Sequence, residues 1–345
     1  MTVYRKLILF TLILTSFVVV FGAYVRLADA GLGCPDWPGC YGKLTPTHAA
    51  EQIREAHASD PHGPVSMPKA WKEMIHRYIA SAVGLLIIAI AAVAWRRRSE
   101  EGTAPGTSTF LIAVVVFQGM LGMWTVTLLL KPAIVTAHLI GGMTTLGILA
   151  WLCAHAYRMP AAPVSDGLRR AARLSFVLLA AQIVLGGWVS TNYAALACMD
   201  FPTCHGSMWP TADYSNAFHV VRELGMTAQG ELLSHEALTA IHWMHRVGAL
   251  VAGGALIVLG LALRRTPALR RAGNLLLIAV VLQIGLGIAN VLLSLPLLLA
   301  AAHNAGAALL VVIMVGINYR VTKSAVVQHQ GERNDERARH ENSFA

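Results

Sequence analysis

Four histidines lie within long apolar runs: His76, His138, His245 and His303. They recur as two pairs, with His245 following His76 by 169 residues and His303 following His138 by 165. An ionisable side chain in a membrane-crossing segment is costly to insert and marks function by default. Two imidazoles facing each other across a helix bundle suit a six-coordinate haem, whose iron bridges the two helices. One turn after each histidine stand small residues that leave room for a porphyrin: Ala80; Gly141 and Gly142; Gly248 and Ala249; Gly306 and Ala307. The competing reading is ordinary packing of membrane helices, which also favours small residues. Zinc or copper would be under-coordinated by one imidazole pair per bundle. Arg77 and Arg246 each follow a histidine and are candidates to hold haem propionates as bidentate donors, or else interfacial anchors that snorkel to the headgroups.

The two halves differ beside those histidines. Three residues before His76 stands Glu73, and three before His245 stands His242. At that spacing Glu73 shares a helix face with His76, where a carboxylate can exchange protons with a bound ligand. A hydrogen bond to a ligand imidazole, or an acid favoured by the helix dipole, is the plainer alternative. His242 is a polar partner or a substitute ligand. Two cysteine pairs complete the inventory, Cys34 with Cys40 in "GLGCPDWPGC" and Cys198 with Cys204 in "LACMDFPTC". Each pair is six residues apart, with turn-forming residues between. The pairs read either as structural disulfides or as redox-active ones. Cys153 reads as an inert buried thiol and His155 as a hydrogen-bonded interior residue. His48, His57, His62, His205, His219 and His235 fall in outer loops as solvated or locally structural groups.

The elements that must position these residues are legible from composition. The chain has 345 residues, 56% hydrophobic and 13% charged, far from the roughly one-quarter charged of a water-soluble domain. Apolar runs of about 20 residues cross a hydrocarbon core, and eight are present: 7–27, 74–95, 109–129, 134–157, 171–191, 240–263, 273–293 and 297–318. The first is longer than a signal-peptide core and reads as a retained helix. With the N-terminus inside, 18 Lys and Arg fall on the inner side and 9 on the outer, so the positive-inside rule predicts N-in, C-in. The net charge of +9 is then a topology signal, and nucleic-acid binding is excluded as its explanation. Both cysteine pairs fall on the oxidising outer side.

The halves also repeat in order. "MIHRYIASAVGLL" is answered by "WMHRVGALVAGGAL" and "FQGMLG" by "LQIGLG", with an offset of 164–169 throughout. Such a match is an internal repeat. Four helices per half give both halves the same orientation, as in parallel repeats. The expected fold is an all-α integral membrane protein of eight transmembrane helices, built as two tandem four-helix bundles. Residues 1–160 form an N-terminal half, 161–320 a C-terminal half, and 321–345 a polar, disordered cytoplasmic tail.

The residues "GAYVRLADAGLGCPDWPGCYG", "EMIHR", His138, "HWMHR" and His303, in this order on eight helices, closely resemble the haem A synthase family over roughly residues 7–318. The resemblance implies oxidation of the C8 methyl group of haem O to the formyl group of haem A, through two hydroxylations and loss of water. It implies His76 and His138 as ligands of the substrate haem, with Glu73 catalytic, and His245 and His303 as ligands of a permanent haem b. It also implies a bacterial cytoplasmic membrane location with the cysteine loops periplasmic, and a role in cytochrome oxidase assembly. The implied partners are haem O, a haem O synthase, an electron donor or acceptor, membrane lipid and a second copy of the chain. Two other classes fit the residues: a di-haem b electron carrier without haem-modifying activity, and a haem-handling binding protein. Glu73 favours the enzyme, since a carrier has no need of the asymmetry. A transporter fits poorly, because the repeats are parallel and no helix pair is interrupted.

Overall fold

The computed structural model describes residues 2–342, with side chains described for 3–322. Ten α-helices follow one another: α1 Thr2–Leu27, α2 Ala50–Ser59, α3 Met67–Arg96, α4 Pro105–Thr127, α5 Pro132–Ala156, α6 Asp166–Thr191, α7 Tyr214–Ala217, α8 His235–Arg264, α9 Arg270–Leu292 and α10 Leu297–Asn342. All but α2 and α7 contain a stretch long and apolar enough to cross a membrane, giving eight such spans. No strand occurs among the described residues, which contain only three isolated bridges in the loops between helices. In hydrocarbon every backbone polar group must be satisfied within the segment, so helices are the expected solution. The tail 321–345, expected to be disordered, instead continues α10 as helical backbone as far as Asn342, with its side chains from 323 onward outside the described residues.

Helix ends follow local chemistry. Proline occupies the first turn of α3, α4 and α5, where its missing N–H costs nothing. Ser165 and Ser234 cap α6 and α8 by accepting from Leu168 N at 3.3 Å and Ala237 N at 3.2 Å. Every span but the last begins earlier than its apolar run suggests, α3 by the most, at Met67 rather than 74, and α8 at His235 rather than 240. The first two turns of these two are polar, carrying Lys69, Lys72 and Glu73 or Glu236 and His242. A hydropathy run therefore misses them. His76 and His245 consequently lie nine and ten residues into their helices, deeper than the apolar runs starting at 74 and 240 place them.

α1, α3, α4 and α5 pack in a closed ring, α1 on α3, α3 on α4, α4 on α5 and α5 on α1. α6, α8, α9 and α10 close a second ring in the same order. In each ring the second and fourth helices stand on the diagonal, so α3 faces α5 and α8 faces α10. The rings meet through α1 with α10, α5 with α10 and α5 with α6. Across this junction Arg26 Nη2 donates to Ser190 O at 3.1 Å, the Tyr193 hydroxyl to Asp29 Oδ1 at 2.9 Å, and Tyr319 OH lies 3.5 Å from His155 Nδ1. Each of these pairs is 164 residues apart in sequence.

Each ring is filled at one end only. Tyr4, Ile8, Ile87, Ile90, Leu111, Leu149 and Leu152 pack solidly at the end carrying the α1 N-terminus. A second cluster, including Leu179, Leu256, Leu259, Leu263, Leu276 and Met314, fills the other ring and joins Met143 and Leu146 of α5. The histidines lie at the opposite ends, where packing gives way to space.

Close backbone contact holds α8 to α9 near the packed end. A Cβ on Gly273 would stand 2.7 Å from Gly260 O, and one on Gly260 would stand 2.8 Å from the Leu277 side chain. Gly285 of the same α9 faces open space. Gly273→Leu is therefore expected to destabilise the protein by roughly 1–3 kcal/mol, the range for overpacking a tight contact. Gly285→Leu should leave the thermal midpoint in detergent nearly unchanged. Equal midpoints for the two variants would refute the close α8–α9 contact.

Candidate haem-binding cavity

A single cavity of about 1590 Å³ occupies the open ends of both rings. Ligand pockets of roughly 300–1,000 Å³ are usual for one small molecule, so the space exceeds a single such site. His76, His138, His245 and His303 all line it. His76 and His138 stand on the diagonal helices α3 and α5, and His245 and His303 on the diagonal helices α8 and α10. The structure thus brings together the residues of each expected pair on opposite walls.

Each imidazole lies against a glycine of the neighbouring helix. A Cβ on Gly22 of α1 would fall 2.8 Å from the His76 ring, on Gly122 of α4 3.2 Å from His138, on Gly186 of α6 2.9 Å from His245, and on Gly287 of α9 3.2 Å from His303. Any larger residue would push the ring away. Nδ1 of His76, His138 and His303 is buried without a hydrogen-bond partner. Buried polar groups are normally satisfied, so the unused nitrogens of these three imidazoles, with His245 beside them in the same lining, fit metal ligation. The fit extends to the shape of a haem: paired imidazoles on opposite walls, a predominantly apolar lining, and room between them.

Glu73 also lines the cavity, with 5% of its surface exposed. Its Oε2 accepts from Cys34 N at 2.8 Å, and its Oε1 accepts from Arg77 Nη2 at 2.5 Å. Arg77 Nη1 in turn donates to Asp36 O at 2.8 Å and Gly39 O at 2.6 Å. The carboxylate and guanidinium therefore clamp the first cysteine loop onto α3. Gly33 makes the approach possible, since a Cβ there would stand 2.5 Å from the Lys69 carbonyl carbon.

The second loop is clamped in the same manner with different chemistry. Cys198 N lies 3.3 Å from His242 Nδ1 and Arg246 Nε lies 3.3 Å from His242 Nε2. A neutral imidazole accepts at one of these nitrogens and carries its proton on the other. Arg246 also donates to Asp200 O at 2.8 Å, Thr203 O at 2.7 Å and Cys198 O at 2.8 Å. His242 thus takes the structural place of Glu73. The asymmetry seen in sequence is one of proton chemistry, within a shared architecture.

Inside the loops, Cys34 and Cys40 sulfurs lie 2.11 Å apart and Cys198 and Cys204 sulfurs 1.99 Å apart. Asp36 accepts from Tyr41 N at 2.6 Å and Gly42 N at 2.7 Å, and Asp200 from His205 N at 2.8 Å and Gly206 N at 2.9 Å. Bonds from the Thr203 hydroxyl and the Gly206 N–H hold the Asp200 carboxyl below the usual carboxylate range. His205 lies near the second sulfur pair, but sulfurs bonded to each other are not thiolate ligands.

The remaining histidines stay outside the cavity lining. His155 stacks on Trp151 at 5.0 Å between ring centroids, and His48 bonds to Thr45 at 2.9 Å. Cys153 is free and half-buried. Sequence reasoning missed Arg26. It lines the cavity with its Nε buried and unpartnered, and its guanidinium lies 4.0 Å from the Tyr193 ring centroid. The available signal was its place in the repeat, where the counterpart 164 residues on is Ser190.

Comparison with known proteins agrees with this arrangement. A protein named heme A synthase from Shewanella oneidensis is 39% identical over 312 residues, covering 90% of this chain and 94% of the relative. Heme A synthases from Rhizorhabdus wittichii and Sphingopyxis alaskensis are 25% and 28% identical, each over 339 residues. These alignments cover 92% and 91% of this chain, and 94% and 91% of the respective relatives. Residues 5–315, all eight spans and both cysteine loops included, match the cytochrome oxidase assembly protein family, and the chain belongs to that family.

Proposed function

We propose that this protein is a haem A synthase, oxidising the C8 methyl group of haem O to the formyl group of haem A in a bacterial cytoplasmic membrane. The carrying observation is the cavity walled by two facing histidine pairs in a chain of this family. His76 and His138 hold the substrate haem in the N-terminal half, residues 1–160. His245 and His303 hold a resident haem b in the C-terminal half, residues 161–320. When bound, haem b supplies one-electron transfer. Arg77 Nη1 and Nη2 are taken up by the loop carbonyls and Glu73, and Arg77 Nε, which has no hydrogen-bond partner among the described residues, is assigned to a propionate. Arg246 offers the second N–H of Nη2 in the same role.

The tandem arrangement belongs to this reading. Contacts between residues 164 apart in the matched helices α1 and α6 and the turns that follow them, Arg26 with Ser190 and Asp29 with Tyr193, support two parallel repeats. Residues beside a two-fold axis meet their own counterparts. The charge distribution supports N-in, C-in topology and places the cysteine loops on the periplasmic side. Electron exchange with a membrane partner and delivery of haem O by its synthase complete the proposed setting.

Glu73 is assigned the proton chemistry. Each carboxylate oxygen engages one donor and retains a further lone pair. Oε1 and Oε2 are thus fixed in place by Arg77 and Cys34 while still able to accept a proton at the cavity wall. An imidazole fills the same place in the other half, where no methyl group is oxidised.

Co-expression with a haem O-producing enzyme, followed by chromatography of the extracted haems, tests the activity. Haem A should appear; two haems b with neither haem O nor haem A would instead identify an electron carrier. In Glu73→Gln the amide can accept from only one of its two donors, so stability should fall by about 1–3 kcal/mol. Haem O or its hydroxylated derivative should accumulate while haem A falls at least about tenfold. Undiminished haem A would remove Glu73 from the chemistry, and loss of all haems together would make its role structural.

The histidine pairs should also be unequal. His245→Ala or His303→Ala is expected to deplete tightly bound haem b, and His76→Ala or His138→Ala to weaken retention of haem O or haem A. The pyridine haemochrome spectrum of each purified variant reads this directly. Loss of the same haem from all four variants would overturn the assignment of halves.

A further inference from the structure

Three of the four cavity histidines are held by a device that the fourth lacks. Gln118 Nε2 of α4 donates to His138 O at 2.8 Å, Gln182 Nε2 of α6 to His245 O at 3.0 Å, and Gln283 Nε2 of α9 to His303 O at 3.0 Å. The same amide nitrogen lies 3.0 Å from His245 Nδ1 in one case and 3.3 Å from His303 Nε2 in another. Each glutamine stands four residues before the glycine that seats the ring: Gln118 before Gly122, Gln182 before Gly186, Gln283 before Gly287. One helix face therefore supplies both the seat and the clasp.

The histidine helices are shaped to receive it. Three residues after each clasped histidine comes Gly141, Gly248 or Gly306, where a Cβ would stand 2.0, 2.3 or 2.1 Å from the glutamine Oε1. No side chain could share that space with the amide. At His76 the seat is present as Gly22, but four residues earlier stands Val18, and three residues after His76 stands Ile79. Both halves of the clasp are replaced by apolar residues.

We propose that Gln118, Gln182 and Gln283 are positioning residues for the haem-ligating histidines, and that unclasped His76 is the yielding ligand through which the substrate haem is admitted and released. The inference rests on the haem reading above. A permanent cofactor gains from two fixed ligands, and both His245 and His303 are clasped. A substrate must leave after reaction, and its site pairs one fixed ligand with one free one. Helix packing alone would place glutamines without regard to which histidine must let go.

The test is transfer of haemin from the purified, loaded protein to excess apomyoglobin, read alongside the thermal midpoint of the haem-free protein. Two phases are expected, the faster one absent from His76→Ala. Gln182→Met and Gln283→Met should speed the slow phase about tenfold, the lower end for loss of a group orienting a metal-binding histidine. Gln118→Met should speed the fast phase. Val18→Gln combined with Ile79→Gly should slow the fast phase by a similar factor, while Ile79→Gly alone does not. Lower thermal midpoints with unchanged transfer rates in the three glutamine variants would reduce the clasps to helix packing and overturn the proposal. A slow phase lost in His76→Ala would overturn the yielding role. Wild-type protein that takes up no haemin refutes the haem reading itself, an outcome distinct from either failure of the clasp.

Discussion

A histidine ring can lie on the backbone of a neighbouring membrane helix only where that helix offers a glycine. Four such seats, Gly22, Gly122, Gly186 and Gly287, set the positions of His76, His138, His245 and His303. Much else follows from this constraint. A ring drawn against the adjacent helix leaves the centre of its four-helix ring free, with the two large packed clusters at the other end and smaller ones beneath the cysteine loops. With little net hydrophobic drive between helices in lipid, van der Waals contact and hydrogen bonds decide the packing. Two well-packed ends support two open ones, and the cavity exists because apolar packing stops where the seated histidines begin.

The open ends need closure from the water side, and the cysteine loops provide it. Their backbone cannot form helix, so its polar groups are satisfied by side chains from the helices below: Arg77 with Glu73, and Arg246 with His242. The arginines act through several carbonyls at once, a task suited to a planar donor with five N–H groups. A loop so held is continuous with the site, because the clamp residues line the cavity themselves. Any movement of the first loop is felt at the Glu73 carboxylate. The structural and chemical roles of Glu73 are therefore two uses of one hydrogen-bonded position.

Much of this was legible in the sequence, for identifiable reasons. Eight spans could be read because hydropathy reports burial in lipid over some twenty residues at a time, and the four histidines stood out against those apolar runs. Helix starts at Met67 and His235 were missed because polar first turns carry no such signal. The seating glycines were partly visible as small residues, but sequence spacing pointed to those after each histidine, on the same helix. The residues that touch the rings lie on neighbouring helices, a relation set by tertiary packing. Arg26 was passed over for the same reason, since its significance lies in meeting Ser190 and Tyr193 from the other half.

The shared architecture also explains why small chemical differences can separate the two halves so far. Glu73 and His242 stand between corresponding partners, Cys34 N and Arg77 in one half and Cys198 N and Arg246 in the other, so the exchange of one for the other keeps the loop in place while changing which protons the wall can hold. Val18 occupies the place of a glutamine without disturbing the glycine seat one turn later. In each instance the scaffold tolerates the exchange because the altered side chain borders the cavity, Val18 at the edge of the packed cluster. A duplicated bundle can thus keep one half as a fixed cofactor site and alter the other residue by residue. The differences gather around His76: an acid three residues before it, an unclasped carbonyl beneath it, and apolar Val18 and Ile79 where the other sites carry glutamine and glycine.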